Sequence, residues 1–246
     1  MLTRQSGSAQ RTKSLSMLLS VLACLAVAAP ARAEWFADLY LGGAFTEKHD
    51  VDFNGQPGRE TTLGVSVDES FAGGIRGGYW FPLQLGPVNF GVGLDLSHFR
   101  PNIGRQARSV CSSSSFCVNG VFEDVDLSVW TVGIDAMFRF PLLKSTAFPN
   151  RQLQPYITVG PAIVVAHAED SHNFSPSGQS NDDTSLGVKV GAGVAWPFTR
   201  VIAMFGEYRW THFSPNFTFV DTNRGITDLT TTVNTHYVLV GVSFRF

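Results

Sequence analysis

The chain has 246 residues, a length typical of one domain, and its 18 Lys and Arg residues nearly balance 20 Asp and Glu residues, for a formal net charge of −2. So small a net charge argues against nucleic acid as a partner, because a phosphate backbone binds to basic surfaces. No segment after the first 33 residues has the apolar run that a transmembrane helix needs.

Residues 1–33 have the pattern of a secretory signal peptide. A positive region contains Arg4, Arg11 and Lys13. An apolar run over 17–29 follows it, and Ala31-Arg32-Ala33 fits an A-x-A cleavage signal. We therefore expect a cleaved signal peptide over 1–33 and one mature domain over 34–246. A lipoprotein signal ending at Cys24 fits less well, because the A-x-A signal lies downstream of it.

Eight segments of the mature chain alternate apolar residues with glycine, polar or charged residues, which is the period of a β-strand with two different surroundings. In chain order they are predicted over 34–47, 67–81, 88–100, 122–140, 153–168, 183–197, 200–213 and 234–246. Short connections over 81–87, 141–152 and 197–199 alternate with long ones over 48–66, 101–121, 169–182 and 214–233. This pattern predicts an all-β fold, an eight-stranded antiparallel transmembrane β-barrel with short periplasmic turns and long extracellular loops.

The two faces of the predicted strands indicate which side meets lipid. In the fourth strand Trp130, Val132 and Ile134 share one face. Glycine, threonine and aspartate occupy the other face, whereas a soluble barrel such as a lipocalin-like carrier would place its large apolar residues inside. We therefore expect the apolar face to contact lipid.

Several charged residues fall on the predicted inward face. They are Arg76, Asp95, Asp135, Arg139, Lys189, Glu207, Arg209 and Arg245. An eight-stranded barrel is just wide enough inside for side chains, and buried charges need partners. We predict a salt-bridge network that plugs the lumen, with inward glycines making room for the arginines. A path for ions or protons is the alternative.

Aromatic residues gather near the strand ends and are predicted to form two interfacial girdles. The periplasmic set is Trp35, Tyr79, Trp80, Phe81, Phe138, Phe140, Trp196, Phe198, Phe244 and Phe246. The outer set is His98, Phe99, Trp210, Phe213 and Phe217. Four histidines, His98, His167, His212 and His236, are placed at outer strand ends on the outward face. We interpret them as polar-tipped rings in the headgroup zone; contact with lipopolysaccharide phosphates and a surface metal site are alternatives.

Two cysteines remain after the predicted cleavage, and they bracket a Ser-rich turn. Cys111 and Cys117 are expected to form a local disulfide in an oxidising envelope, with two free thiols as the alternative. We predict no metal and no cofactor.

The last strand, 237–246, ends in Phe244-Arg245-Phe246. It resembles the C-terminal signal strand of bacterial outer-membrane β-barrels, and the mature chain as a whole resembles the small outer-membrane barrels of the OmpA-like and OmpX-like type. Residues 207–213 look most like porin-like members of that group. The resemblance implies a Gram-negative outer-membrane location, with lipids and lipopolysaccharide as partners, and an insertion machinery that reads Phe244 and Phe246.

The same resemblance implies a non-enzymatic role, structural or surface-binding, through extracellular loops whose ligand the sequence does not name. A narrow porin-like channel for small solutes is one alternative. Another comes from the segment 210–214, which resembles the His-x-Ser element of outer-membrane lipid A deacylases. Carried over, Ser214 would be the nucleophile and His212 the base. Pro215 departs from that family's Asn-Ala-Gly continuation, and neither Asp221 nor Asp228 stands in a matching context.

Overall fold

The computed structural model of the protein describes residues 34–54, 59–112, 116–122, 124–142, 153–170, 179–221 and 225–246. The predicted signal peptide lies outside these residues. Within them, no helix has the length and apolarity that crossing a bilayer requires. The described segments contain fifteen strands, which follow one another in chain order. They are β1 (Glu34–Thr46), β2 (His49–Asn54), β3 (Arg59–Val65), β4 (Ser70–Leu85), β5 (Val88–Phe99), β6 (Asn102–Ile103), β7 (Gln106–Ser112), β8 (Cys117–Phe122), β9 (Val125–Arg139), β10 (Gln154–Asp170), β11 (Gln179–Pro197), β12 (Ile202–Phe213), β13 (Asn216–Asp221), β14 (Gly225–Thr231) and β15 (Val233–Arg245).

Eight long antiparallel strands close into a barrel, in the order β1, β4, β5, β9, β10, β11, β12 and β15. The last strand pairs with the first, with Leu39 opposite Val242, and so closes the cylinder. The closure extends to the C-terminus, where Phe246 N donates to Trp35 O at 2.9 Å. The predicted eight-stranded antiparallel barrel is confirmed. All its strands are paired on both sides, which is how backbone polar groups are satisfied in lipid.

The long connections differ from the plain loops that we expected. Three of them contain the hairpins β2–β3, β7–β8 and β13–β14, which pair with one another in a six-stranded sheet. We call this the loop sheet, and the end of the barrel that carries it the outer end. Pairings such as Asp228 with Asn54 join segments far apart in sequence, so a reading of local patterns could not find them.

The barrel wall carries its large apolar side chains outward. Leu39, Ile75 and Leu94 are more than half exposed, whereas their inward neighbours Asp38, Arg76 and Asp95 are buried. This is the reverse of a soluble barrel and matches a lipid-facing wall with a polar lumen.

The predicted aromatic girdles need a correction. At the end opposite the loop sheet, Trp35 and Tyr79 pack at 4.9 Å between ring centroids on the outside of the wall. Trp80, Phe99, Phe213 and Phe217 are instead buried, on the inward side. Because side chains alternate along a strand, Trp80 lies on the face opposite to both Tyr79 and Phe81. Depth along a strand, on which the girdle prediction rests, does not distinguish the two faces.

Candidate functional site

The middle of the lumen holds a group of buried charged side chains, which we call the charge network. It consists of Asp38, Arg76, Asp95, Asp135, Lys189, Glu207 and Arg209. Six barrel strands contribute to it, and none of its members is more than 6% exposed. Removing so many charges from water is tolerated only when they are paired.

The pairing forms one chain in which acid and base alternate. Arg76 joins Asp38, at 2.9 Å, to Glu207, at 2.8 Å. Arg209 extends the chain from Glu207, at 2.7 Å, to Asp95, at 3.3 Å. Lys189 Nζ then lies 2.9 Å from Asp95 and 3.0 Å from Asp135. Each cation therefore sits between two carboxylates, and the chain crosses the lumen from β1 to β9.

Two buried tyrosines complete the hydrogen bonding of the carboxylates. The Tyr40 hydroxyl donates to Asp95 at 2.8 Å, and the Tyr156 hydroxyl donates to Glu207 at 2.8 Å. The Arg209 guanidinium lies 4.8 Å from the centroid of the Tyr40 ring. Ring faces and hydroxyls together hold the ion pairs in a fixed geometry, since charge-assisted hydrogen bonds are strong and directional.

Inward glycines provide the space that the network occupies. A Cβ at Gly133 would lie 2.8 Å from Lys189 Nζ, and one at Gly191 would lie 3.2 Å from Glu207 Oε1. Both distances are too short for an undisturbed contact. The abundance of glycine on the inward faces is thus tied to long charged side chains reaching across from other strands.

The eight charged residues singled out from the sequence fall into two groups. Six belong to the charge network, while Arg139 and Arg245 lie at the end opposite the loop sheet. There Glu34 pairs with Arg139 at 2.9 Å and with Arg245 at 3.3 Å, and the Arg139 guanidinium covers the Trp80 ring at 4.3 Å. Sequence reasoning missed Asp38 and Glu34, although Asp38 shares the inward face of β1 with Phe36 and Tyr40.

Towards the outer end the lumen changes character and becomes an apolar cavity of about 60 Å³, which we call the outer chamber. Its wall includes Phe99, Val129, Ala166 and Phe213 of the barrel strands. Its roof comes from the loop sheet, with Val51, Phe217 and Leu229. The sequence analysis missed this chamber. The available signal was segment 162–166, Ala-Ile-Val-Val-Ala, where both faces of β10 are apolar.

Among the described residues, no hydrogen bond joins the two candidate catalytic residues, His212 and Ser214. His212 Nδ1 lies 2.8 Å from the amide oxygen of Asn234, and the Ser214 hydroxyl lies 3.3 Å from that of Thr232. Asp228 accepts a hydrogen bond from Thr218 at 2.9 Å. Among the side chains that the structure describes, neither a serine–histidine hydrogen bond nor a carboxylate that orients His212 is present.

The other outer histidines have separate partners. His98 stacks on Trp130 with 4.3 Å between ring centroids. His236 lies 2.6 Å from the Tyr208 hydroxyl and 3.0 Å from Glu47, whereas His167 contacts Asp182 and Glu169. Within the described part of the chain, no three His, Cys, Asp or Glu side chains are grouped so that they could hold a metal ion.

Cys111 and Cys117 form a disulfide across the β7–β8 hairpin. At the opposite side of the loop sheet, Asn181 of β11 donates its side-chain amide to the Thr218 carbonyl of β13 at 2.5 Å. The sheet is thus braced covalently at one edge and joined to a barrel strand at the other.

A family model described as the outer membrane protein beta-barrel domain matches residues 17–246. Among solved structures, the chain resembles OprG of Pseudomonas aeruginosa at 11% identity and a TM-score of 0.56, over 88% of this chain and 96% of that one. Neisserial surface protein A matches at 18% identity and a TM-score of 0.43, over 87% and 97%. Ail of Yersinia pestis, solved with a heparin analogue, matches at 14% identity and a TM-score of 0.40, over 86% and 99%. No curated protein sequence matches the chain.

Proposed function

Because the chain belongs to the outer-membrane protein β-barrel family and lies in the bacterial outer membrane, we propose that it is a barrel with a closed lumen, which acts through the loop sheet on its outer side. The observation that carries this proposal is the continuous chain of ion pairs across the lumen. In this proposal the barrel is an anchor without enzymatic activity, and the loop sheet is its binding surface.

The charge network supports a closed lumen because its members exclude water from one another. Lys189, Asp95 and Asp135 are at most 1% exposed and fill the space between β5, β9 and β11. An ion passing this level would have to displace pairs that are held at 2.9 and 3.0 Å. In an eight-stranded barrel there is little room beside such a plug.

Conductance in planar lipid bilayers tests the closure. The unaltered protein is expected to show no steady single-channel current. The triple variant Lys189→Ala, Asp95→Ala, Asp135→Ala removes one cation together with both of its partners, and it is expected to conduct. Val188→Ala with Val190→Ala, on the lipid-facing side of the same strand, is the matched control and should stay silent.

Heat-dependent gel mobility would show that the triple variant still forms a barrel before its current is interpreted. A steady current through the unaltered protein would overturn the closure and favour the alternative, a narrow channel for small solutes.

The loop sheet suits binding because it is a rigid surface on a membrane-fixed scaffold. Its three hairpins pair with one another, and the disulfide and the Asn181–Thr218 bond hold its two sides. A surface that is ordered before it binds loses less conformational entropy on binding. The exposed side chains of Phe116, Val118 and Val121 on the β7–β8 hairpin give it an apolar patch at one edge.

Labelling of intact cells with a membrane-impermeant maleimide tests which side the loop sheet faces. A cysteine placed by Thr230→Cys, on β14, is expected to react in intact cells. One placed by Arg200→Cys, in the turn between β11 and β12, is expected to react only after the outer membrane is permeabilised. The reverse order would place the loop sheet in the periplasm and overturn the proposal.

Phe244 and Phe246 are proposed as the signal that the insertion machinery reads. Phe246 is 74% exposed although its backbone closes the barrel against Trp35, so its ring is available to a partner. Phe246→Ala should lower the amount of inserted barrel, while the control Phe198→Ala should not.

The outer histidines are proposed contacts for lipopolysaccharide phosphates. Arg100 lies beside one of them and donates a hydrogen bond to His98 at 3.3 Å.

A further inference from the structure

We propose that the outer chamber is a binding site for one small, uncharged, apolar molecule, such as a short alkane, which enters from the loop side. The proposal goes beyond surface binding by the loop sheet. It rests on the proposed closure of the lumen in one respect, because the charge network forms the floor below the chamber.

The chemistry of the lining excludes a charged or strongly polar ligand. Aromatic and aliphatic side chains form the wall, and the polar residues at its rim already have partners. The Thr231 hydroxyl donates to the Asp50 carbonyl at 3.0 Å, and the Thr46 hydroxyl pairs with that of Thr235 at 3.1 Å. His49 Nδ1 lies 3.1 Å from the Glu47 carbonyl. A polar ligand would therefore lose its hydrogen bonds to water and gain few in return.

The size of the chamber indicates a small occupant. Its volume of about 60 Å³ exceeds the roughly 10–15 Å³ that one water molecule needs, yet a water there would lack the two to four polar partners that hold buried water. An apolar cavity of about 150 Å³ remains dry and takes up benzene or xenon, so a chamber of about 60 Å³ suits an occupant no larger than xenon or a short alkane. An occupant would restore dispersion contacts that the facing side chains lack across the void.

The barrel wall around the chamber argues for a free molecule and against the acyl chain of a membrane lipid. The β9–β10 ladder is paired up to Asp170 opposite Val125, and the β12–β15 ladder is paired up to Phe213 opposite Val233. An acyl chain has no opening through these paired segments. We place the entry at an edge of the loop sheet, whose end strands are β13 and β8.

The floor makes the chamber a closed-ended site. The Phe99 ring meets the edge of Tyr237 at 5.5 Å between centroids, and Tyr40, below it, is bonded to Arg209 at 3.0 Å. The charge network follows immediately. A molecule that enters from the loop side is therefore retained and released on the same side, which distinguishes a receptor-like site from a channel.

Methyl NMR of the full-length protein in lipid nanodiscs, titrated with xenon, tests this proposal. The Val129 and Ala166 methyl groups face the chamber and should show a saturable shift. The Val165 methyl groups face lipid on the same strand as Ala166 and should report only the non-saturable uptake of xenon by the bilayer. Ala166→Leu fills the chamber and should abolish the saturable shift at Val129, whereas the matched control Val165→Leu should preserve it.

Ala168→Val provides a second, smaller filling of the chamber if Ala166→Leu does not insert. A Val129 shift that fails to saturate in the unaltered protein, or that persists in the filled variants, would overturn the proposal. Cross-relaxation from lipid acyl protons to Val129 without xenon would also overturn it, because the occupant would then be a lipid chain. Filling the chamber should not produce a current in planar bilayers. The chamber proposal can therefore fail in the NMR experiment while the closed lumen is still supported by the absence of conductance.

Discussion

The middle and the outer part of the lumen are enclosed by the same strands but filled in opposite ways. Strand β9 places Asp135 in the charge network and Val129 in the outer chamber, and β12 places Arg209 and Phe213 in the same two layers. The middle layer is full and held by paired charges. The outer layer is apolar and leaves space. Inward-facing positions of a small barrel thus do not share one chemistry, and each layer is stabilised within itself.

The difference predicts how each layer responds to change. In the charge network, losing one group leaves a buried partner without a counter-charge, which is costly. In the outer chamber, side chains face a void, so a larger residue gains contacts rather than losing them. The following changes test whether the two layers behave as independently as this comparison requires.

The largest effect is expected from removing the cation between two fully buried carboxylates. Lys189→Met keeps the length of the side chain but leaves Asp135, at 0% exposure, without its cation, while Asp95 keeps only its ion pair with Arg209 at 3.3 Å. Breaking a buried pair in this way costs about 3–5 kcal/mol of the free energy of unfolding. Urea unfolding in lipid bilayers, followed by tryptophan fluorescence, measures it. The control Val190→Met, on the lipid-facing side of β11, should change little.

Adding Asp135→Asn to Lys189→Met should recover part of this loss, because it removes the carboxylate charge that was left without a cation. An unfolding free energy equal to that of the unaltered protein would show that water reaches this layer, and the contrast with the outer chamber would then fail.

The disulfide offers the next largest effect, and it should be confined to the loop sheet. Cys111→Ser with Cys117→Ser opens a link across a separation of six residues, which is expected to cost roughly 2–3 kcal/mol for local opening of the β7–β8 hairpin. Hydrogen exchange should speed up in β7 and β8 and remain unchanged in β9. Faster exchange throughout the barrel wall would mean that loop sheet and barrel unfold together.

A single added methyl group should destabilise the protein inside the charge network but not on the lipid-facing side of the barrel wall. Gly133→Ala places a Cβ 2.8 Å from Lys189 Nζ and must displace the ammonium, whereas Gly77→Ala meets only the Phe36 carbonyl at 3.9 Å. Overpacking of this kind costs roughly 1–3 kcal/mol, so Gly133→Ala should lower the urea midpoint and Gly77→Ala should not. Equal midpoints would show that Lys189 moves freely.

The barrel could be predicted from the sequence because its strands are long and its two faces meet different surroundings. Over Trp130 to Arg139, for example, ten residues alternate between more exposed and buried positions, and so long an alternation indicates a β-strand with two different surroundings. The loop sheet could not be predicted. Its strands have six or seven residues, and they are fixed by partners such as Thr61 with Cys111, which are distant in sequence.

The existence of the charge network could be predicted from the alternation of inward and outward residues, since a charge on the inward face must find a partner inside. The individual ion pairs could not be predicted, because Arg76 and Glu207 meet across the lumen and their strands do not pair with each other. The outer chamber was missed for a different reason. Where both faces of a strand are apolar, as over Ala162 to Ala166, alternation no longer says which side faces inward.

The smallest expected effect concerns pH and lies at the rim of the outer chamber. Burial lowers the pKa of His49 from its ordinary value of 6.5, against the opposing influence of the Glu47 carbonyl and the Asp50 carboxylate. Protonation is therefore less favourable in the folded loop sheet than in the unfolded one. The stability that neutral His49 provides is complete above about pH 6.5 and is lost as the pH falls towards the lowered pKa of the folded state.

Limited proteolysis of the inserted protein as the pH is lowered measures this loss, with faster cleavage expected in the loop sheet and not in the barrel. His49→Gln cannot titrate and should flatten the profile, whereas the control His98→Gln, a ring stacked on Trp130 in the outer wall, should leave it unchanged. If His49→Gln keeps the full pH dependence, another group controls the roof, and the His236–Glu47 pair, at 3.0 Å, is the next to test. A pH effect that appears in the roof and spares the barrel would confirm that the lumen is built from layers that open separately.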